Sequence, residues 1–248
     1  MFLPLPSPGA LTIEPLFPVA LGQVQLHPDP LELAGQLQAL LALRGEAESN
    51  PDPGCAWTGD LNGVWQLHHH ATFSPLIAEL TNHVRSYLDQ LGFDPRKLTL
   101  HLQRCWPVLS EPTQVVGRHH HPNAHLSAIY YLSGDGSGRS GCLRLWPLRQ
   151  VNELVAGLGV GHGGPLTPTP WTRPWLDVAP RTGLLVVFPS CIDHAVLPND
   201  DPDALRCSLS LDFVLTAPPM GEGQASPEYL APHPSHWLAI PEDGYPPA

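Results

Sequence analysis

The strongest chemical signal is one short run, Arg118-His119-His120-His121-Pro122-Asn123. Side chains alternate in direction along an extended segment, so His119 and His121 project to the same side, as two ligands of one ion must. The run feeds directly into Leu126-Ser-Ala-Ile-Tyr-Tyr-Leu132, a strand candidate rigid enough to hold a site. A third histidine stands in a strand-end setting, Phe188-Pro-Ser-Cys-Ile-Asp-His194-Ala-Val. Neutral imidazole is a good ligand for a divalent metal such as iron(II), and three protein ligands on one face leave three positions open. The bland alternative is a polar turn that happens to be rich in histidine, and His68-His69-His70 shows that this chain makes such runs.

Arg206 follows His194 and opens the run Arg206-Cys-Ser-Leu-Ser-Leu-Asp-Phe213. An arginine that begins a buried strand is costly unless something pairs with it. Its planar fork matches a carboxylate through two hydrogen bonds. Ser208 shares its face by parity and could add a hydroxyl donor; Asp212 shares that face too. The competing reading pairs Arg206 with an acidic neighbour such as Asp203. Asp193 adjoins His194, but on an extended segment it points the other way.

The elements that must position these residues are legible in outline. Residues 1–18 read as an extended proline-rich arm. Asp29-Pro30 opens a helix, with Asp as the N-cap and Pro in the first turn, and Leu33, Leu37, Leu40, Leu41 and Arg44 follow at helical spacing. Residues 45–62 read as loop, broken at Asn50-Pro51-Asp52-Pro53-Gly54. A second helix begins at Ser74-Pro75, with Leu76, Leu80, Val84, Leu88 and Leu91 as its apolar stripe and Gly92 at its C-terminus. After Pro95 the period changes to two. Strands are predicted from Leu98, over Leu126–Leu132, Cys142–Trp146, Gly183–Phe188 and Arg206–Leu215, with a long irregular loop at 147–180. Such spacing suggests a β-sandwich or barrel with two helices outside it, an α+β domain. The expected division is an N-terminal arm and supporting helices over 1–97, a core over 98–216 and a proline-rich tail over 217–248.

Composition excludes several classes. The chain of 248 residues carries a formal net charge of −11, which leaves no electrostatic footprint for nucleic acid or an anionic membrane surface. Only 14% of residues are charged, and 31 prolines with 22 glycines imply many turns. The five cysteines are an odd number without a C-x-x-C pair, so neither a disulfide framework nor a zinc ribbon fits; reduced thiols in a cytoplasm are the plain reading. The N-terminus lacks a basic region before its apolar residues and does not read as a signal peptide, and no uninterrupted apolar stretch is long enough to span a membrane.

The order of these parts resembles the 2-oxoglutarate/iron(II) dioxygenase superfamily, in which a double-stranded β-helix (jelly-roll, cupin-like) carries His-x-Asp/Glu, a distal His and a later Arg, often as Arg-x-Ser. Cys105-Trp-Pro, Arg118-His-His-His, Ile129-Tyr-Tyr-Leu and Gly141-Cys-Leu-Arg-Leu-Trp-Pro look like the corresponding run of prolyl-hydroxylase-type members. His-x-His-Pro-Asn with Leu-Ser-x-x-Tyr-Tyr-Leu, and later Gly183-Leu-Leu-Val-Val-Phe-Pro-Ser with His194, is similar to an oxygenase subgroup of bacteria and phages. The resemblance spans residues 98–215. It implies an oxidoreductase with iron(II) held by His119, His121 and His194. It also implies 2-oxoglutarate held at its C5 carboxylate by Arg206, with help from Ser208 and Tyr131. Asn123 and Asp212 become candidate substrate contacts. The implied reaction is oxidative decarboxylation of 2-oxoglutarate to succinate and CO₂, coupled to hydroxylation of a small-molecule, amino-acid or peptidyl substrate. The departure from the superfamily is His121, where a carboxylate is usual. The same residues also fit a three-histidine dioxygenase that uses no 2-oxoglutarate, with Arg206 on the substrate's own carboxylate. A third reading is a non-catalytic jelly-roll binding protein.

Overall fold

The computed structural model describes residues 9, 11–46, 52–158, 165–167, 169–221, 223–225 and 228–240. Most of the proline-rich arm's first ten residues, Asn50-Pro51 of the predicted break, 159–164 and 168 in the long loop, and part of the tail lie outside them. The element order is β1 (Gly22–Gln25), α1 (Pro30–Glu46), β2 (Trp57–Thr58), α2 (Ser74–Gln90), β3 (Thr99–Ser110), β4 (Val116–His119), β5 (Leu126–Tyr131), β6 (Leu143–Leu145), β7 (Leu176–Val178), β8 (Leu184–Pro189), β9 (His194–Val196) and β10 (Arg206–Thr216).

Both helices form where their end signals stand. Asp29 Oδ1 accepts the amides of Leu31 and Glu32 at 2.8 and 3.1 Å, which satisfies two donors that an uncapped helix would leave open. Pro75 sits in the first turn of α2. At its other end Gly92 takes the left-handed conformation (φ +89°) and the Phe93 amide closes back on the Leu88 carbonyl. The buried face of α2 is Leu76, Ile77, Leu80, Val84, Tyr87 and Leu88. Leu91, expected to complete that stripe, is instead 47% exposed, because the helix has ended at Gln90 and the chain is already turning.

The strands form two sheets, a larger one in the order β1-β8-β5-β10-β3-β2 and a smaller one in the order β4-β9-β6-β7. All pairings between named strands are antiparallel. The two sheets make a double-stranded β-helix, and the class is α+β. Strand parity assigns the larger sheet's two faces. Tyr130, Leu185, Val187, Leu209, Leu211 and Phe213 pack on one side with Leu40 of α1 and Leu80 and Val84 of α2. Ile129, Tyr131, Val186 and Phe188 pack on the other side with Leu143, Leu145 and Val178 of the smaller sheet. The helices thus buttress the sheet from behind and leave its front face to the cavity between the sheets.

The five predicted strands are present, and β3 runs on to Ser110, well past the alternating stretch that announced it. Five others are new: β1, β2, β4, β7 and β9, none longer than four residues. Segments that short show no resolvable period. The loop predicted at 147–180 is not irregular throughout, since Leu176–Val178 pairs with β6. Among the described residues no helix is long and apolar enough to cross a membrane.

Leu80 is fully buried between α2 and the back of the sheet. Leu80→Ala should cost about 2–5 kcal/mol of stability in urea unfolding. Its metal affinity should be unchanged, because the deleted atoms lie on the face opposite the cavity.

Candidate metal centre and its cavity

His119 ends β4 and His194 begins β9, and the two are cross-strand partners in the antiparallel pair. The register shifts between Val116 and His119, a local irregularity that re-aims the end of β4. Two residues on, His121 returns to the same side, while His120 faces the other way and meets Asp193 at 3.1 Å. Ring centroids lie 4.3 Å apart for His119–His194, 5.1 Å for His119–His121 and 5.0 Å for His121–His194. One nitrogen from each ring lies within 4.8 Å of the other two.

The hydrogen bonds behind the rings decide which nitrogen is offered. His119 Nδ1–H donates to the Gly117 carbonyl at 2.7 Å and His194 Nδ1–H to the Ile192 carbonyl at 2.9 Å. His121 Nδ1–H donates to Asp212 Oδ1 at 2.7 Å. A carbonyl or carboxylate oxygen only accepts, so each Nδ1 carries the proton and each Nε2 keeps a lone pair for a metal. Burial works in the same direction. It lowers His194 from the ordinary 6.5 to about 3 and lowers His119 as well, so both rings are uncharged at neutral pH.

The surroundings divide the predicted residues. Asp193 points outward, where Arg118 grips it at 2.8 Å, and Arg118 also stacks over Trp146. Asp212 is 0% exposed and does not line the cavity. It is held by Arg104 at 2.5 Å, His121 at 2.7 Å and Ser127 at 3.0 Å, so it stands behind a histidine rather than before a substrate. Asn123 is exposed in the turn after His121 and likewise does not line the cavity. Trp171 and Trp175 border a separate cleft beside the smaller sheet, where Arg144 stacks on Trp175.

The cavity between the sheets has a volume of about 400 Å³, and its walls include His119, His121, His194, Tyr131, Arg206 and Ser208. Ser208 and Tyr131 are direct cross-strand partners. Arg206 is 1% exposed. Its Nη1 donates to the Gly141 carbonyl at 3.2 Å, but Nε and Nη2 have no partner among the described residues. Asp203 does not pair with it: no ion pair forms to Arg206 among the described residues. Burial lowers its pKa, which measures how poorly the fold itself supports this charge. Gly141 must be glycine, because at φ +89° a Cβ would sit 2.3 Å from the Leu197 carbonyl oxygen.

Arg104, Trp106 and Ser127 escaped the sequence reading. Trp106 lies against the His121 ring at 5.6 Å, and Arg104 lies over Trp106. The available signal was register: Arg104 and Ser127 both face Asp212 across β10.

Residues 104–212, the stretch that holds this constellation, match the sequence model of the family described as "Putative 2OG-Fe(II) oxygenase". This stretch belongs to the 2OG-Fe(II) oxygenases. Oxygenases of that description are oxidoreductases that use iron(II) and 2-oxoglutarate, and His119, His121 and His194 are placed so that they could hold a metal ion. No curated protein matches the sequence. Among solved structures the oxygenase is similar to the α-ketoglutarate-dependent epimerase SnoN from nogalamycin biosynthesis, at TM-score 0.55 and 17% identity, over 87% of this chain and 91% of that one. It is similar to a Pseudomonas putida prolyl-4-hydroxylase at 0.52 and 20%, over 79% and 92%. HygX from Streptomyces hygroscopicus, with nickel and 2-oxoglutarate bound, follows at 0.51 and 11%, over 86% and 85%. These likenesses establish the fold.

Because the folded metal-free oxygenase resists protonating His194 and the unfolded chain does not, this contribution to stability is complete above pH 6.5 and declines as the pH falls toward 3. Thermal melts of the metal-free protein should show a lower Tm at pH 5 than at pH 7, and His194→Gln should shrink the difference. A pH-independent Tm would contradict a buried neutral ring.

Proposed function

We propose that the oxygenase hydroxylates a C–H bond of a small-molecule, amino-acid or peptidyl substrate, with His119, His121 and His194 holding iron(II) and Arg206 holding 2-oxoglutarate. The observation that carries the cosubstrate assignment is the buried Arg206, with two unused donors beside the histidines. A carboxylate is the group that fills such a fork with two parallel hydrogen bonds. It would also supply the counter-charge that no described side chain offers.

The residues present fit both groups. Three imidazoles, each with Nδ1 engaged in a hydrogen bond and Nε2 free, suit a divalent transition metal and leave other coordination positions for ligands from solution. Ser208 and Tyr131 flank Arg206 and complete a polar floor; burial pushes the Tyr131 phenol up to about 12, so it remains an O–H donor. When bound, iron(II) with 2-oxoglutarate supplies the O₂ activation that oxidises an unreactive C–H bond. The chain's contribution is geometric. Arg206 fixes the far end of the cosubstrate, and the three Nδ1 bonds lock the ligand rings. Phe188, edge-on to His194 at 5.1 Å, Ile129 and Val196 keep the inner wall dry. The lining also includes Thr58, Asp60, Leu61 and Trp106, a mixed surface that suits a substrate with both polar and apolar parts. Proteins of the same fold include an epimerase from nogalamycin biosynthesis and a prolyl-4-hydroxylase.

Anaerobic addition of iron(II) and 2-oxoglutarate should develop a visible metal-to-ligand charge-transfer band, and admission of O₂ should release succinate. Arg206→Met should raise the 2-oxoglutarate concentration needed for the band at least about tenfold, the loss of a charged hydrogen-bonded pair. Iron-loaded protein that neither binds nor consumes 2-oxoglutarate would sink the proposal in favour of a cosubstrate-free reaction.

A further inference from the structure

The wider superfamily places Asp or Glu where His121 stands, so its metal site carries a negative charge that three imidazoles lack. We propose that Asp212 supplies that charge from behind the ligand, as the positioning residue for His121, so that the pair His121–Asp212 does the work of the absent carboxylate ligand. This rests on the proposed ligand role of His121.

Three observations carry it. First, the rings are not equivalent. His119 and His194 donate Nδ1–H to neutral peptide carbonyls, and His121 alone donates to a carboxylate. An imidazole that donates to an anion is a more basic ligand at its other nitrogen, and the anion stabilises the positive charge brought by the metal. Second, the fold encloses this carboxylate among donors: Asp212 is fully buried and its oxygens meet Arg104, His121 and Ser127. Third, its geometry is fixed from both sides of β10. Arg104 on β3 takes Oδ2 at 2.5 Å, and Ser127 on β5 donates to Oδ1 at 3.0 Å, leaving Oδ1 aimed at His121. Trp106 packs against the same ring, its centroid 5.6 Å away.

The rival explanation is that Asp212 merely neutralises Arg104 in the core. Titration with Co(II), used as the probe, separates the two. Asp212→Asn keeps the shape and an oxygen acceptor but removes the charge; it should weaken Co(II) binding about 10–100-fold. In a His121→Asp background, where position 121 carries its own carboxylate, the same change should cost less than about threefold. An equal cost in both backgrounds means that Asp212 does not act through His121, and the proposal falls. If His121→Asp does not fold or does not bind Co(II), nitrogen-15 NMR of the zinc-loaded wild type and Asp212→Asn decides. The His121 Nδ1–H resonance should be present in the wild type and should move in the variant, while those of His119 and His194 stay. A His121 Nδ1 without a proton, or an unmoved resonance, overturns the proposal. His119→Ala and His194→Ala report on the metal centre separately. If both keep wild-type Co(II) affinity, the proposed function fails; if both lose it and Asp212→Asn does not, only the role of Asp212 fails.

Discussion

β10 is covered on both faces, by the helices behind it and by the cavity wall in front, and that double burial governs the rest of the structure. A strand's period of two forces its residues to alternate between these environments. Cys207, Leu209, Leu211 and Phe213 go to the helices, and Arg206, Ser208, Ser210 and Asp212 go to the front. A buried polar side chain needs a partner. The front face meets that demand differently at its two ends: Asp212 is met by the protein, and Arg206 keeps two nitrogens without a partner among the described residues. The strand that stabilises the core thereby also spaces the histidine end of the cavity from the arginine end.

Much of this could be read from the chain because it depends on local rules. The parity of His119 and His121, the outward turn of Asp193 and the shared face of Arg206 and Ser208 all follow from strand alternation. The helix ends followed from Asp29, Pro30, Ser74 and Gly92. What could not be read depended on register between distant segments. Asp212 shares a face with Arg206 and so was expected to meet substrate. Only the pairing of β10 with β3 and β5 shows it enclosed by Arg104 and Ser127. The pairing of His119 with His194 lies equally beyond local pattern, because β4 and β9 are too short to show a period. Leu91 failed for a local reason: helical spacing says where a side chain would point, not whether the helix is still running.

Charge is distributed against the overall balance. The chain bears a net −11, with only 12 lysines and arginines. Arg104, Arg118 and Arg206 nevertheless line the same cavity. The first two are met by Asp212 and Asp193, and the buried third has no carboxylate partner. The cavity therefore keeps, among the described residues, one arginine without a carboxylate partner inside an acidic protein.

The pairing of His119 with His194 also bears on mechanical integrity. The smaller sheet is built from strands of three and four residues, and its β4–β9 rung joins segments far apart in sequence. Holding the ends of so long an intervening chain together has an entropic cost that a few backbone hydrogen bonds offset only narrowly. An ion gripped by both histidines would act there as a removable clasp, adding its binding free energy to the closure of that loop. The smaller sheet would then open locally more often without the ion than with it, while the larger sheet, backed by its helices, would keep its protection in either state.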